Sequence, residues 1–79
     1  MPVLSTYKLL NPSDSNLYAY IQKIKIEWNN EIEYYLLVDK LYNETGKSLF
    51  SKYYNSFNGS KIAFSKRFKQ TKKPIWEKI

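Results

Sequence analysis

The stretch Leu17-Tyr18-Ala19-Tyr20-Ile21-Gln22-Lys23-Ile24-Lys25-Ile26-Glu27-Trp28 decides the class of fold. At period two, Tyr18, Tyr20, Ile24, Ile26 and Trp28 share a face with Gln22. Lys23, Lys25 and Glu27 then share the other face with Leu17, Ala19 and Ile21. At the helical period, Leu17, Tyr20, Ile21, Ile24 and Trp28 also form a stripe, but Ile26 falls off it. The clean alternation across Lys23–Trp28, rich in β-formers, favours a strand.

Asn29-Asn30-Glu31 reads as a tight loop leading into Ile32–Val38. Closing it with these residues sets Trp28 opposite Ile32, Ile26 opposite Tyr34 and Ile24 opposite Leu36, so that the apolar faces of a half-buried hairpin coincide. A shorter loop sets Trp28 opposite Glu31 and scrambles the faces. The expected hairpin is therefore 18–28/32–38. Ile24, Ile26, Trp28, Tyr34 and Leu36 are expected in the core, together with Phe64.

Outward from the hairpin, residues 2–10 read as a short edge strand, broken by Asn11-Pro12. Leu49, Phe50, Tyr53, Tyr54 and Phe57 are spaced as a helical stripe, which places one helix near 47–57. Asn58-Gly59 ends it as a cap or a hairpin turn. Lys61–Lys69 alternates again, with Ile62, Phe64 and Phe68 on one side, and predicts a strand near 61–68. Ile75-Trp76-Glu77-Lys78-Ile79 is a short apolar tail that docks on the body rather than exposing a Trp between two Ile. The fold expected is α+β: a small antiparallel sheet, built on the hairpin and the later strand, packed on one helix. An all-β meander is the alternative, and the helical period of 17–28 keeps an all-α bundle third.

The chain has 79 residues and 9.5 kDa, enough for one small domain spanning 1–79. Aromatics make up 18% of it, so it is expected to fold despite a mean hydropathy of -0.59. It has no Cys and no His. Disulfides, Cys/His zinc sites, thiol nucleophiles and imidazole acid–base chemistry are thereby excluded, and no metal or cofactor is expected. No run approaches the ~20 apolar residues of a membrane span, and no secretory leader pattern opens the chain, so no membrane partner and a cytoplasmic location are expected. Lys, Asn, Ile, Tyr and Phe make up 38 of the 79 residues. Their AT-rich codons suggest a low-GC bacterium, a phage (which would place the protein in the host cytoplasm) or another mobile element.

Two motifs suggest chemistry and are better read as structure. Thr45-Gly46-Lys47-Ser48 resembles the end of a phosphate-binding loop, but Leu41 stands where the loop's first glycine belongs, which leaves a turn. Glu27, Glu31 and Glu33 cluster at the hairpin, where charged residues commonly guard strand edges.

The charge is uneven. Residues 1–44 hold four lysines against six acids, whereas residues 45–79 hold nine cations against Glu77 alone. Such asymmetry points to a polyanion partner. Lys61, Lys66, Arg67, Lys69, Lys72 and Lys73 are the candidate phosphate contacts, with Tyr53 and Tyr54 as candidate stacking residues. The function expected is a non-enzymatic nucleic-acid-binding module for DNA or RNA. The alternative is a modulator or inhibitor that docks on an acidic or nucleic-acid-binding surface of a host protein. A compact ribonuclease working without His ranks third, because no spaced constellation singles out its residues.

Overall fold

The computed structural model describes residues 2–79. Four strands, β1 (Val3–Leu9), β2 (Leu17–Lys25), β3 (Ile32–Lys40) and β4 (Phe50–Tyr54), are followed by helix α1 (Phe57–Arg67) and a last short strand, β5 (Trp76–Lys78). They form one sheet in the order β4-β3-β2-β1-β5, antiparallel throughout. The α+β class expected from the sequence is the fold observed. The first four strands run as a meander, but α1 then carries the chain across the sheet from the β4 edge to the β5 edge. The helical alternative for 17–28 is overturned, since β2 pairs on both sides.

The hairpin forms in a different register. Leu36 faces Ile21, and Ile24 faces Glu33 rather than Leu36. Ile26 N–H donates to Glu31 O at 2.8 Å, so the loop is Glu27–Asn30. Asn30 supplies the left-handed backbone that closes it, at φ 56°, and Asn29 Oδ1 accepts Glu31 N–H at 3.0 Å. The shift exchanges the faces of β2, so that Leu17, Ala19 and Ile21 point into the core with Tyr34, Leu36 and Val38. Both faces of β2 carry enough apolar surface to be the inner one. The inner face is the one that leaves tyrosine hydroxyls wet and puts small Ala19 inside. Trp28, expected in the core, lies in the loop and is 83% exposed. Ile24 and Ile26 are buried as expected, and so are Leu36 and Phe64. Tyr34 packs partly buried against the core cluster.

The later elements are exchanged relative to expectation. The segment near 47–57 yields strand β4, and the segment near 61–68 belongs to α1. The cause is the cap. Ser56 is extended, at φ −141°, and its Oγ accepts Gly59 N–H at 2.9 Å. Asn58-Gly59, read as a terminator, is thus the first turn of the helix. A Cβ on Gly59 would lie 2.8 Å from Ser56 Oγ, so glycine makes room for the capping hydroxyl. Phe57, Ser60, Phe64 and Phe68 then fall on one helical face, and Ile62, which the period-two reading placed beside Phe64, is exposed. In β4, Phe50, Lys52 and Tyr54 face α1, each paired with a β3 residue of the inner face.

Phe64 sits under the helix at the centre of the core, fully buried, with Phe68 at 5.5 Å and the edge of Trp76 at 5.3 Å between ring centroids. β1 is an interior strand rather than an edge, because the tail docks outside it as β5, with Leu9 opposite Trp76 and Lys8 opposite Glu77. Asn11 secures this return by donating to Lys73 O at 2.9 Å and accepting from Ile75 N–H at 2.7 Å.

Candidate nucleic-acid interface

Strand alternation and strand pairing sort the charges by face. Residues directly opposed in antiparallel strands share a face. Lys23 is opposed to Tyr34, Lys40 to Leu17, Lys52 to Leu36 and Lys78 to Tyr7, all partners that pack under α1. Lys25 continues the row beyond Lys23. No strand acid lies on that side. The other face takes Glu33 (opposed to Ile24), Asp39 (opposed to Tyr18) and Glu77 (opposed to Lys8), with Lys8 its sole strand cation. The helix adds Lys61, Lys66 and Arg67 to the basic side and contains no Asp or Glu.

Some of these cations, with Lys73, form a belt across α1. Lys61, Lys66 and Lys73 line a groove of about 370 Å³ between the helix and the segment entering β5. Lys66 also lines the next groove, about 460 Å³, with Lys52 and Arg67. Arg67 lines a third, about 690 Å³, with Lys40. Three of the belt's side chains are steadied by rings beneath them: the Arg67 guanidinium is 4.5 Å from the Phe50 centroid, Lys61 Nζ is 4.8 Å from Phe57, and Lys52 Nζ is 5.6 Å from Tyr54.

Of the residues expected from the sequence, Lys61, Lys66, Arg67 and Lys73 come together in this belt. Lys69 and Lys72 are exposed on the segment that follows the helix. Tyr54 lies in the belt, covered by Lys52 rather than free to stack. Tyr53 is a correction: β4 alternation turns it to the opposite face, where its ring meets Tyr35 at 4.7 Å. A strand reverses direction at each residue, so neighbouring tyrosines cannot serve one surface. Sequence reasoning missed Lys23, Lys25, Lys40, Lys52 and Lys78. For Lys23 and Lys25 the signal was their parity with Ala19 and Ile21, hidden by choosing the wrong inner face of β2; Lys40 shares parity with Leu36 and Val38, and Lys52 was hidden by reading 47–57 as a helix.

The open face carries Tyr18, Tyr20, Tyr35 and Tyr53 beside its acids. Asp39 is held below the ordinary carboxylate range. The main cause is the Asn43 amide, which donates to Oδ1 at 2.7 Å. Lys40 N–H donates at 2.8 Å and Tyr18 O–H at 3.4 Å. Tyr18 is pushed up from its ordinary value, first by desolvation and then by the Asp39 charge.

Among the described residues, no helix is long and apolar enough to cross a membrane. Comparison with protein-family models, with curated proteins and with solved structures finds no match to this chain.

Proposed function

We propose that the protein is a non-enzymatic module that binds nucleic acid through the helix side of its sheet. The observation that supports this is the belt Lys73, Lys61, Lys66, Lys52, Arg67 and Lys40, on a face whose strands and helix contribute no carboxylate. Phe50, Tyr54 and Phe57 lie beneath cations, so along them the belt grips the phosphate backbone and does not read bases by stacking. Binding follows counterion release. With about six cations engaged, the logarithm of affinity falls with the logarithm of salt at a slope of roughly −5. Fluorescence polarisation with mixed DNA and RNA oligonucleotides across a salt series tests this. Lys52→Gln with Arg67→Gln is expected to flatten the slope by roughly two. Absence of binding at low salt, or binding indifferent to ionic strength, overturns the proposal.

Two exposed aromatics favour a second reading, docking on a host protein. Trp28 projects from the hairpin tip, and Tyr42, 92% exposed, is held at φ 62°, a backbone unfavourable for a bulky residue. Exposed Trp and Tyr are the side chains that dominate protein interfaces. A stoichiometric protein partner that survives nuclease treatment and is lost with Trp28→Ala supports docking. Recovery of nucleic acid alone excludes it.

A further inference from the structure

The groove between α1 and the Lys73–Trp76 segment differs from the rest of the belt. Its volume of about 370 Å³ lies in the range of small-molecule sites, as do those of the two neighbouring grooves, and it is the lining that sets it apart. Ile62, Pro74 and the Trp76 ring give it apolar walls, and Lys61, Lys66 and Lys73 supply charge around them. Lys61 rests on Phe57, as Lys52 and Arg67 rest on Tyr54 and Phe50 in the neighbouring groove, but among the described residues no ring lies under Lys66 or Lys73. Trp76 also carries the one buried side-chain polar atom without a partner among the described residues, its indole Nε1. That nitrogen has no exposed surface, so what Trp76 offers a ligand in the groove is ring carbon rather than a hydrogen bond. The groove is also anchored at its strand side, because Asn11 holds the backbone on both sides of Pro74.

Apolar walls, a free aromatic surface and three ammonium groups match a planar body that bears an anion. We propose that this groove binds a single nucleotide, its base against Trp76, Ile62 and Pro74 and its phosphate among Lys61, Lys66 and Lys73. The choice of a nucleotide over other aromatic anions rests on the nucleic-acid reading above. The nucleotide can come from a free pool or from the phosphorylated end of a strand, and the two sources present the same chemistry.

The chain has two tryptophans, so Trp28→Phe leaves Trp76 as the only indole fluorophore, and Trp28 is exposed enough to replace without loss of fold. This protein is titrated with adenosine 5′-monophosphate, adenosine, inorganic phosphate, and an oligonucleotide with and without a 5′-phosphate. Saturable quenching by the monophosphate is expected in the ~1 mM range or tighter, with adenosine at least about tenfold weaker. Lys61→Gln, Lys66→Gln and Lys73→Gln together are expected to weaken it by at least about tenfold, with the far-ultraviolet circular dichroism unchanged. Lys52→Gln with Arg67→Gln should leave the quenching intact while lowering oligonucleotide affinity. Quenching by the 5′-phosphorylated strand but not by the free nucleotide assigns the site to strand ends. If no probe changes Trp76 emission while oligonucleotides still bind the belt, the groove proposal is overturned and the proposed function stands. If the monophosphate binds and oligonucleotides do not, the groove stands and the proposed function falls.

Discussion

Ser56 and Gly59 determine whether the chain after β4 turns into a helix. The Ser56 hydroxyl caps the first turn by accepting from Gly59 N–H, and it occupies the space where a side chain at position 59 would begin. The two positions are therefore coupled. Ser56→Ala is expected to cost about 1 kcal/mol in urea unfolding. Gly59→Ala alone displaces the cap and yields little net change. In the Ser56→Ala background the same substitution should stabilise by about 0.5–1 kcal/mol, the ordinary helix advantage of alanine. Simple additivity across the double-mutant cycle would show that the two residues act independently. A second residue-scale prediction concerns Asp39, whose folded pKa lies below its ordinary value because Asn43, Lys40 N–H and Tyr18 hold the carboxylate. Its stabilising effect is complete above the ordinary value of 3.8 and is lost as pH falls through the lower folded value. Carboxyl carbon chemical shifts should show Asp39 titrating later than free aspartate on acidification. Asn43→Ala should raise its midpoint, and an unchanged midpoint would remove Asn43 as the cause.

Elements show where sequence periodicity is informative and where it is ambiguous. Phe64 and Ile62 are both apolar and two positions apart, which a strand would place side by side; in α1 one is sealed in the core and the other faces solvent. Phe64→Ala is expected to cost about 3–5 kcal/mol, enough to unfold a domain this small, whereas Ile62→Ala should cost under about 1 kcal/mol. Comparable losses at both sites in thermal unfolding would contradict the helical assignment. The hairpin, its turn region and the docking of the tail were legible because Lys23–Trp28 alternates and Trp76 stands between apolar neighbours. Leu36 was identifiable as core for the same reason, whereas Ile24 is buried on the opposite face and Phe64 was picked from an alternation that the helix replaces. The register was not legible. Tyr18 and Tyr20 carry more side-chain carbon than Leu17, Ala19 and Ile21 together, and only the helix packed from elsewhere in the chain decides which set lies inside. Likewise Asn58-Gly59 has the composition of a stop signal, and only Ser56 just before it makes it a start.

At the scale of the whole molecule, the sheet separates charge. Its helix side is basic and its open side holds tyrosines with Glu33, Asp39 and Glu77, so the net +6 understates the field on one face and hides the opposite sign on the other. The clustering of Lys61, Lys66, Arg67 and Lys73 was visible in sequence as a basic half. The contributions of Lys40 and Lys52 came only with the strand pairings. Sheet closure also operates at this scale. Removing residues 76–79 strips β5 from β1, and an unpaired interior strand with exposed Val3 and Leu4 is expected to self-associate, seen as increased light scattering at fixed concentration. A truncated chain that stays monomeric would show that β5 is dispensable.

The Asn11 clamp joins positions 62 and 64 apart in the chain. A polypeptide emerging from the ribosome in order would hold β1, β2 and β3 ready long before Trp76 exists to cover Leu9. Loop closure over such a span is slow relative to local hairpin formation. During synthesis the protein thus passes through an interval with its first strand unguarded on one flank. That vulnerable interval ends only when β5 reaches β1.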